Sequence, residues 1–157
     1  MFEIERKFLI IRPESGLLSG FDSSNIEQTY LTGGERVRRR DYPYRTEFTH
    51  TVKTAVTAMR RIETEREITA DEYVEFLKSA DPSRRTLHKI RYIIPYLGKS
   101  FELDDFGPEY SHALLEIELE NEDEAFTIPP FLTVVREVTD ERRYRNSRIA
   151  SEGFPDE

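Results

Sequence analysis

The sequence predicts an α+β domain: an eight-stranded antiparallel β-barrel, or tunnel, with a charged lumen and a few flanking helices. Three observations predict it. Six short segments place charged residues at every second position: Glu3-Ile4-Glu5-Arg6-Lys7, Arg36-Val37-Arg38, Glu63-Thr64-Glu65, Lys89-Ile90-Arg91, Glu102-Leu103-Asp104 and Glu116-Ile117-Glu118. Alternation at period two is the strand period, so each segment puts its charges on one face and its spacers on the other. The strand candidates also follow one another through short turns, which makes an antiparallel meander. Finally, the charged faces resemble one another from strand to strand and mix both signs, which a merely solvated face does not require. A barrel of about eight strands has an interior that holds side chains or one small ligand.

Strands are expected at 2–11, 25–31, 34–41, 46–54, 60–68, 87–95, 100–106 and 112–120, with a ninth at 132–138. Tyr96-Leu97-Gly98-Lys99 joins two of them as a hairpin, and Phe106-Gly107-Pro108 ends the second. A helix is expected over 69–80. Thr69 and Glu72 have capping-box spacing, Tyr73, Phe76, Leu77 and Ala80 form an apolar stripe, and Asp81-Pro82 stops it. An arginine-rich helix is expected over 140–149, and a single helical turn within 121–126. Ile4, Val37, Val52, Ile90, Leu103, Ile117 and Leu119 then face away from the charges, where the helices at 69–80 and 140–149 cover part of them. Residues 1–150 read as one domain and 151–157 as a frayed tail.

A chain of 157 residues suits a single domain. Its net charge of -8 argues against nucleic acid as a partner, since phosphate-backbone binding needs a basic face. No stretch approaches the ~20 apolar residues of a membrane span, so no membrane partner is expected. Cysteine is absent, which excludes disulfides and thiolate metal sites and fits a reducing cytoplasm. The apolar run from Phe8 to Ile11 is too short for a signal peptide. Nothing in the sequence sets the oligomeric state.

The charged faces suggest a chemistry. Carboxylates at i and i+2 of a strand lie roughly 7 Å apart at Cα and reach the same volume. Two such pairs from neighbouring strands supply the hard oxygen ligands that Mg²⁺ or Mn²⁺ prefers. The candidate pairs are Glu3 with Glu5, Glu63 with Glu65, and Glu116 with Glu118. Lys7, Arg36, Arg38, Lys53, Lys89 and Arg91 suit phosphate oxygens instead. A solvated sheet face is the ordinary reading of any single pair. Several pairs of both signs, repeated along the chain, favour a site that takes a polyanion with a divalent metal. No Gly-rich phosphate loop is present. His50, His88 and His112 have no ligand spacing, and Ser23, Ser24 and Ser147 have no visible base partner. Arg38-Arg39-Arg40, followed by Tyr42, Tyr44 and Arg45, reads as a lumen strand running into a polar hairpin.

The opening Glu3-Ile4-Glu5-Arg6-Lys7-Phe8 resembles the E-x-E-x-K signature of the CYTH superfamily, the triphosphate tunnel metalloenzymes. The resemblance continues in the family's order through Gln28-Thr29-Tyr30-Leu31, Arg36-Val37-Arg38, Thr51-Val52-Lys53 and Arg61-Ile62-Glu63-Thr64-Glu65. It runs on through Lys89-Ile90-Arg91, Glu102-Leu103-Asp104, Leu115-Glu116-Ile117-Glu118, Val138-Thr139-Asp140 and Tyr144-Arg145-Asn146. It implies an eight-stranded antiparallel tunnel that binds a small-molecule triphosphate and a divalent metal, Mg²⁺ or Mn²⁺. By that likeness Glu3, Glu5, Glu116 and Glu118 hold the catalytic metal, with Asp104 a further candidate. Glu63 and Glu65 assist at a second metal or position water, and Lys7, Arg36, Arg38, Lys53, Lys89 and Arg91 bind phosphates. The implied catalytic set is Glu5, Lys7, Arg36, Arg38, Lys53, Glu63 and Glu65. The chain is most similar to the compact bacterial members, which resemble inorganic triphosphatases. The alternatives within the likeness are a class IV adenylyl cyclase, a thiamine or nucleoside triphosphatase, and a non-catalytic polyphosphate-binding module. The segment 41–50 is longer and more aromatic than the compact pattern, and the chain has no tryptophan.

Overall fold

Period-two alternation becomes strand wherever the sequence carries it. The computed structural model, which describes residues 2–155, has nine strands. They are β1 (Phe2–Ile11), β2 (Asp22–Tyr30), β3 (Glu35–Asp41), β4 (Thr46–Ala55), β5 (Arg60–Glu67), β6 (Leu87–Tyr96), β7 (Lys99–Asp105), β8 (His112–Leu119) and β9 (Val134–Glu137). Three α-helices accompany them: α1 (Ser15–Leu18), α2 (Ala70–Leu77) and α3 (Asn146–Glu152). All strands lie in one antiparallel sheet of order β5-β4-β3-β2-β6-β7-β8-β1-β9. The start of β1 also pairs with β5, Phe2 to Ile4 against Ile62 to Arg60. No helix among the described residues is long and apolar enough to cross a membrane.

The β6–β7 hairpin turns at Leu97 and Gly98, both at positive φ (48° and 75°). That is the backbone a two-residue antiparallel turn prefers, although leucine is an uncommon residue for it. Helix α2 starts where its sequence signals place it. The Thr69 hydroxyl accepts from the Glu72 N–H at 3.1 Å, and the Glu72 carboxylate accepts from the Thr69 N–H at 3.1 Å. The helix stops at Leu77, before the expected Ala80, because Ala80 leaves the helix to bridge Leu31.

The two faces of the sheet bury different things. Ile4, Phe8, Phe101, Leu103, Leu115 and Ile117 form a core on the face opposite the charges. The cover comes from Leu18 at the end of α1 and from Phe126, Ile128 and Leu132. Residues 121–126 form no helix; Phe126 instead sets its ring edge-on to Phe8 and Phe101, 5.9 and 6.3 Å away. Helix α2 covers Leu31 and Val37 with Tyr73, Phe76 and Leu77. Val52 and Ile90, expected under a helix, stay 40% and 36% exposed.

The helix expected over 140–149 is two pieces, a 3₁₀ turn at Arg142–Tyr144 and then α3, separated by an extended Arg145 (φ -70°, ψ 139°). At the break the Tyr144 carbonyl accepts from Lys7 Nζ at 3.1 Å. These pieces do not cover the spacer face. They pack against Leu9, Leu87, Phe106 and Leu114, which share strand parity with the charges. Helix α3 also runs past residue 150, and Phe154 is buried against Phe106, Tyr110 and Tyr144. Three ring partners hold Phe154 in place; residues 156 and 157, the end of the tail read as frayed, lie outside the described residues.

Candidate active site

Along the charged face, several strands grade from apolar to charged in steps of two residues. On β1 the order is Leu9, Lys7, Glu5, Glu3; on β8 it is Leu114, Glu116, Glu118; on β6 it is Leu87, Lys89, Arg91. Leaving β7, it is Phe106, Asp104, Glu102. The apolar ends meet α3, so the charges stand on a hydrophobic floor.

Next to that floor lies a buried ion network. Arg91 donates to both oxygens of Asp104, Nε at 2.7 Å and Nη2 at 2.9 Å, while its Nη1 reaches Glu102 at 3.0 Å. Lys89 Nζ meets Asp104 at 2.7 Å and donates to Asn146 Oδ1 at 3.1 Å. Burial alone would raise the Asp104 carboxyl, but Arg91 and Lys89 overcome it and hold Asp104 well below the carboxylate range. Lys89 is lowered to about 7, chiefly by burial. Lys7 Nζ lies 3.3 Å from Glu116. Against the effect of burial, Lys7, Arg91 and Lys89 hold the Glu116 carboxyl low. Asp104, a candidate metal ligand from the sequence, thus has both oxygens engaged by cations.

The opposite wall is less compensated. Lys53 Nζ lies 3.5 Å from Glu3 and 4.0 Å from Glu63, and Glu63 lies 4.0 Å from Arg36. Burial and the neighbouring Glu63 raise the Glu3 carboxyl. Burial, Glu3 and Glu102 raise that of Glu118. Glu5 stands directly across from Glu118 in the β1–β8 register. Glu65, at the outer end of the pair with Glu63, is exposed.

On β3, Arg36 and Arg38 are buried side by side. Arg38 has no carboxylate within ion-pair distance among the described residues. Its Nε and Nη2 donate to the neutral Gln28 Oε1 at 3.1 and 2.7 Å, and Gln28 donates in turn to the Tyr30 hydroxyl at 2.7 Å. Burial, Arg36 and Arg91 lower Arg38 to about 9, so it stays cationic at neutral pH. Two buried polar atoms here lack a hydrogen-bond partner, Arg36 Nε and Thr51 Oγ1, and Glu3 Oε2 has only the long 3.5 Å contact with Lys53. Buried groups of this kind are costly unless something pairs with them.

Between the walls lies a cavity of about 210 Å³. Of the residues singled out by sequence, Glu3, Glu5, Arg36, Arg38, Lys53, Glu63, Glu65, Arg91 and Glu116 line it. Lys7 lines an adjoining cavity of about 280 Å³ together with Glu5, Arg36, Thr51 and Lys53. Lys89, Asp104 and Glu118 line neither. Sequence reasoning missed the part played by Arg40, Gln28 and Asn146. Arg40 continues the period-two row of Arg36 and Arg38, and that spacing was the signal that could have found it. Among the described residues, no three His, Asp or Glu side chains converge at metal-ligand spacing. The carboxylates fit a hard divalent cation in type and in their unrelieved charge. They form an acidic wall and not a finished cage, which suits an ion that keeps several of its waters.

No protein-family model matches the chain. It is 35% identical over 156 residues to an inorganic triphosphatase of Nitrosomonas europaea, a match spanning 96% of this chain and 97% of that protein. It is 33% identical over 105 residues to an inorganic triphosphatase of Acetivibrio thermocellus, spanning 66% of this chain and 65% of that protein. Among solved structures, the inorganic triphosphatase NE1496 superposes with a TM-score of 0.58 at 29% identity, over 94% of this chain and 93% of that one.

Proposed function

Because this chain belongs to the CYTH superfamily, the triphosphate tunnel metalloenzymes, we propose that it hydrolyses the terminal phosphoanhydride of inorganic triphosphate. One observation carries the reading. Buried cations short of counter-charge, Arg38 and the unpartnered Arg36 Nε, share a polar cavity with under-compensated carboxylates. A polyanion answers the first need and a divalent cation the second.

In this reading Lys7, Arg36, Arg38, Lys53 and Arg91 hold phosphoryl oxygens, while Lys89, expected from the sequence to join them, is buried behind the cavity and braces Asp104 and Asn146. The charge-assisted bonds of Arg36 and Arg38 strengthen as charge shifts onto those oxygens in the transition state. Glu3, Glu5, Glu116 and Glu118 hold the metal, while Glu63 and Glu65 serve a second metal or orient the attacking water. A bound Mg²⁺ or Mn²⁺ supplies Lewis-acid stabilisation of the phosphoryl oxygens. Asp104 we assign to anchoring Arg91 and Lys89, since both its oxygens are occupied. We read the sheet as an eight-strand tunnel with β9 outside the ring, a reading supported by the β1–β5 pairing. The cysteine-free composition favours the cytoplasm.

The test is phosphate release from inorganic triphosphate, ATP and thiamine triphosphate with Mg²⁺ or Mn²⁺. Inorganic triphosphate is expected to be the best substrate. Activity on ATP alone overturns the substrate assignment, and cyclic AMP in place of free phosphate overturns hydrolysis.

A further inference from the structure

We propose that Arg40 is a third phosphoryl clamp and sets the length of anion the cavity prefers, an inference that rests on the triphosphate reading above. Arg36, Arg38 and Arg40 occupy alternate positions of β3, and all three line the same cavity. The intervening Arg39 makes a useful contrast. It faces outward and is neutralised there, its Nε 3.2 Å from Asp41 and its guanidinium 6.0 Å from the Phe48 ring centroid. Arg40 has no such counter-charge. Glu47 is its cross-strand neighbour in the register, but Glu47 pairs with Arg45 at 2.9 Å. No carboxylate among the described residues lies within ion-pair distance of Arg40.

Its guanidinium is nonetheless fixed. Nε donates to Ser24 Oγ at 2.8 Å, and the group lies 4.8 Å from the Tyr42 ring centroid. Arg45 sits 4.6 Å from the same ring, and Tyr44 stacks on it at 5.7 Å. The aromatic hairpin thus acts as a bracket for Arg40. The bracket engages the Nε edge and the ring face, leaving the terminal nitrogens for a ligand. A planar, pre-oriented fork suits a phosphoryl group far better than a mobile lysine would. The three guanidinium groups line one cavity, so an anion long enough to reach Arg40 gains a third partner, whereas a shorter one seated on Arg36 and Arg38 leaves Arg40 unused.

The decisive measurement is calorimetric titration of wild type, R40Q and R40K with inorganic triphosphate and with pyrophosphate. A chelator is present, so that no turnover occurs. For R40Q, triphosphate affinity is expected to fall at least about tenfold, the loss of one charge-assisted pair, while pyrophosphate affinity changes less than about twofold. R40K keeps the charge without the fork and is expected to fall between. R39Q, altered on the outer face, is expected to match wild type. Equal losses for both anions in R40Q, or an unchanged triphosphate affinity, overturn the clamp. Should R40Q fail to fold, an R40K protein with the wild-type ratio of the two affinities overturns it as well. Hydrolysis assayed separately on the wild type distinguishes failure of the clamp from failure of the triphosphatase reading.

Discussion

The β6–β7 wall and the wall made by β1, β5 and β8 both carry charges on the same face of the sheet and treat them in opposite ways. Around Asp104, each buried charge meets an opposite one within hydrogen-bond distance, and Arg91 grips both carboxylate oxygens. Around Glu3 and Glu118, carboxylates face carboxylates, and Lys53 stands 3.5 Å or more from its partners. The first wall is complete as it stands. The second leaves charge and hydrogen-bonding capacity unused, and that unspent capacity marks where a ligand belongs. Both walls are rich in charge; compensation separates them.

Breaking the complete wall should have the largest effect on stability. Asp104→Asn leaves Arg91 and Lys89 buried without their shared anion, and is expected to cost about 3–5 kcal/mol in chemical denaturation. An unchanged midpoint would mean that the network is dispensable.

Altering the incomplete wall should do the reverse. Glu118→Gln removes one anion from a repelling group, so turnover should drop on the order of 100-fold through a lost metal ligand while thermal stability holds or rises. Near-normal turnover would remove Glu118 from the set that holds the metal.

A pH titration sharpens the contrast within one molecule. Glu3 and Glu118 are raised, so the folded chain takes up their protons before the unfolded chain does. Their contribution to stability therefore grows as pH falls from neutral through their raised values toward the ordinary glutamate value of about 4.3. Asp104 and Glu116 are held low, so their contribution is complete above the ordinary carboxylate range and is lost as pH falls below it. Denaturation measured from neutral to acid pH should show a modest gain and then a steep loss. Added Mg²⁺ should remove the gain and release protons on binding. A monotonic decline from neutral pH would contradict the split.

The smallest effect is expected away from both walls. Thr69→Ala removes the capping hydroxyl of α2 and should lower stability by about 1 kcal/mol with turnover unchanged. A matching loss of turnover would show that α2 communicates with the cavity.

The strand set was legible because its signal is local: two-residue periodicity needs no knowledge of what packs above it. The capping box of α2 was legible for the same reason. The C-terminal segment was not. An unbroken helix over 140–149 is the better local conformation, and the break at Arg145 makes sense only once Lys7, from the far end of the chain, is present to take the Tyr144 carbonyl. Phe154 likewise looks like part of a tail until Phe106, Tyr110 and Tyr144 surround it. Within the site, residue types named the chemistry, but not which carboxylates were already paired. Asp104 and Glu118 sit in nearly identical local sequence, Glu-Leu-Asp and Glu-Ile-Glu. Only the distance to Arg91 and Lys89 tells them apart.

Strand β1 has a consequence for how the molecule assembles. It carries Glu3, Glu5 and Lys7, and it pairs with β5, β8 and β9, the last tied by a contact between Arg6 and Glu137 across 131 residues. β1 leaves the ribosome before the other strands of the sheet, and two of its three partners, β8 and β9, leave after the rest. Until β8 and β9 follow, the strand that bears Glu3 and Glu5 is largely an unpaired edge, and charges along such an edge disfavour its pairing with strangers. Closing such distant pairings is slow, since the entropy of a long loop is lost before the contacts form. The same alternation of Glu and Lys that serves the cavity in the folded protein thus guards the nascent chain.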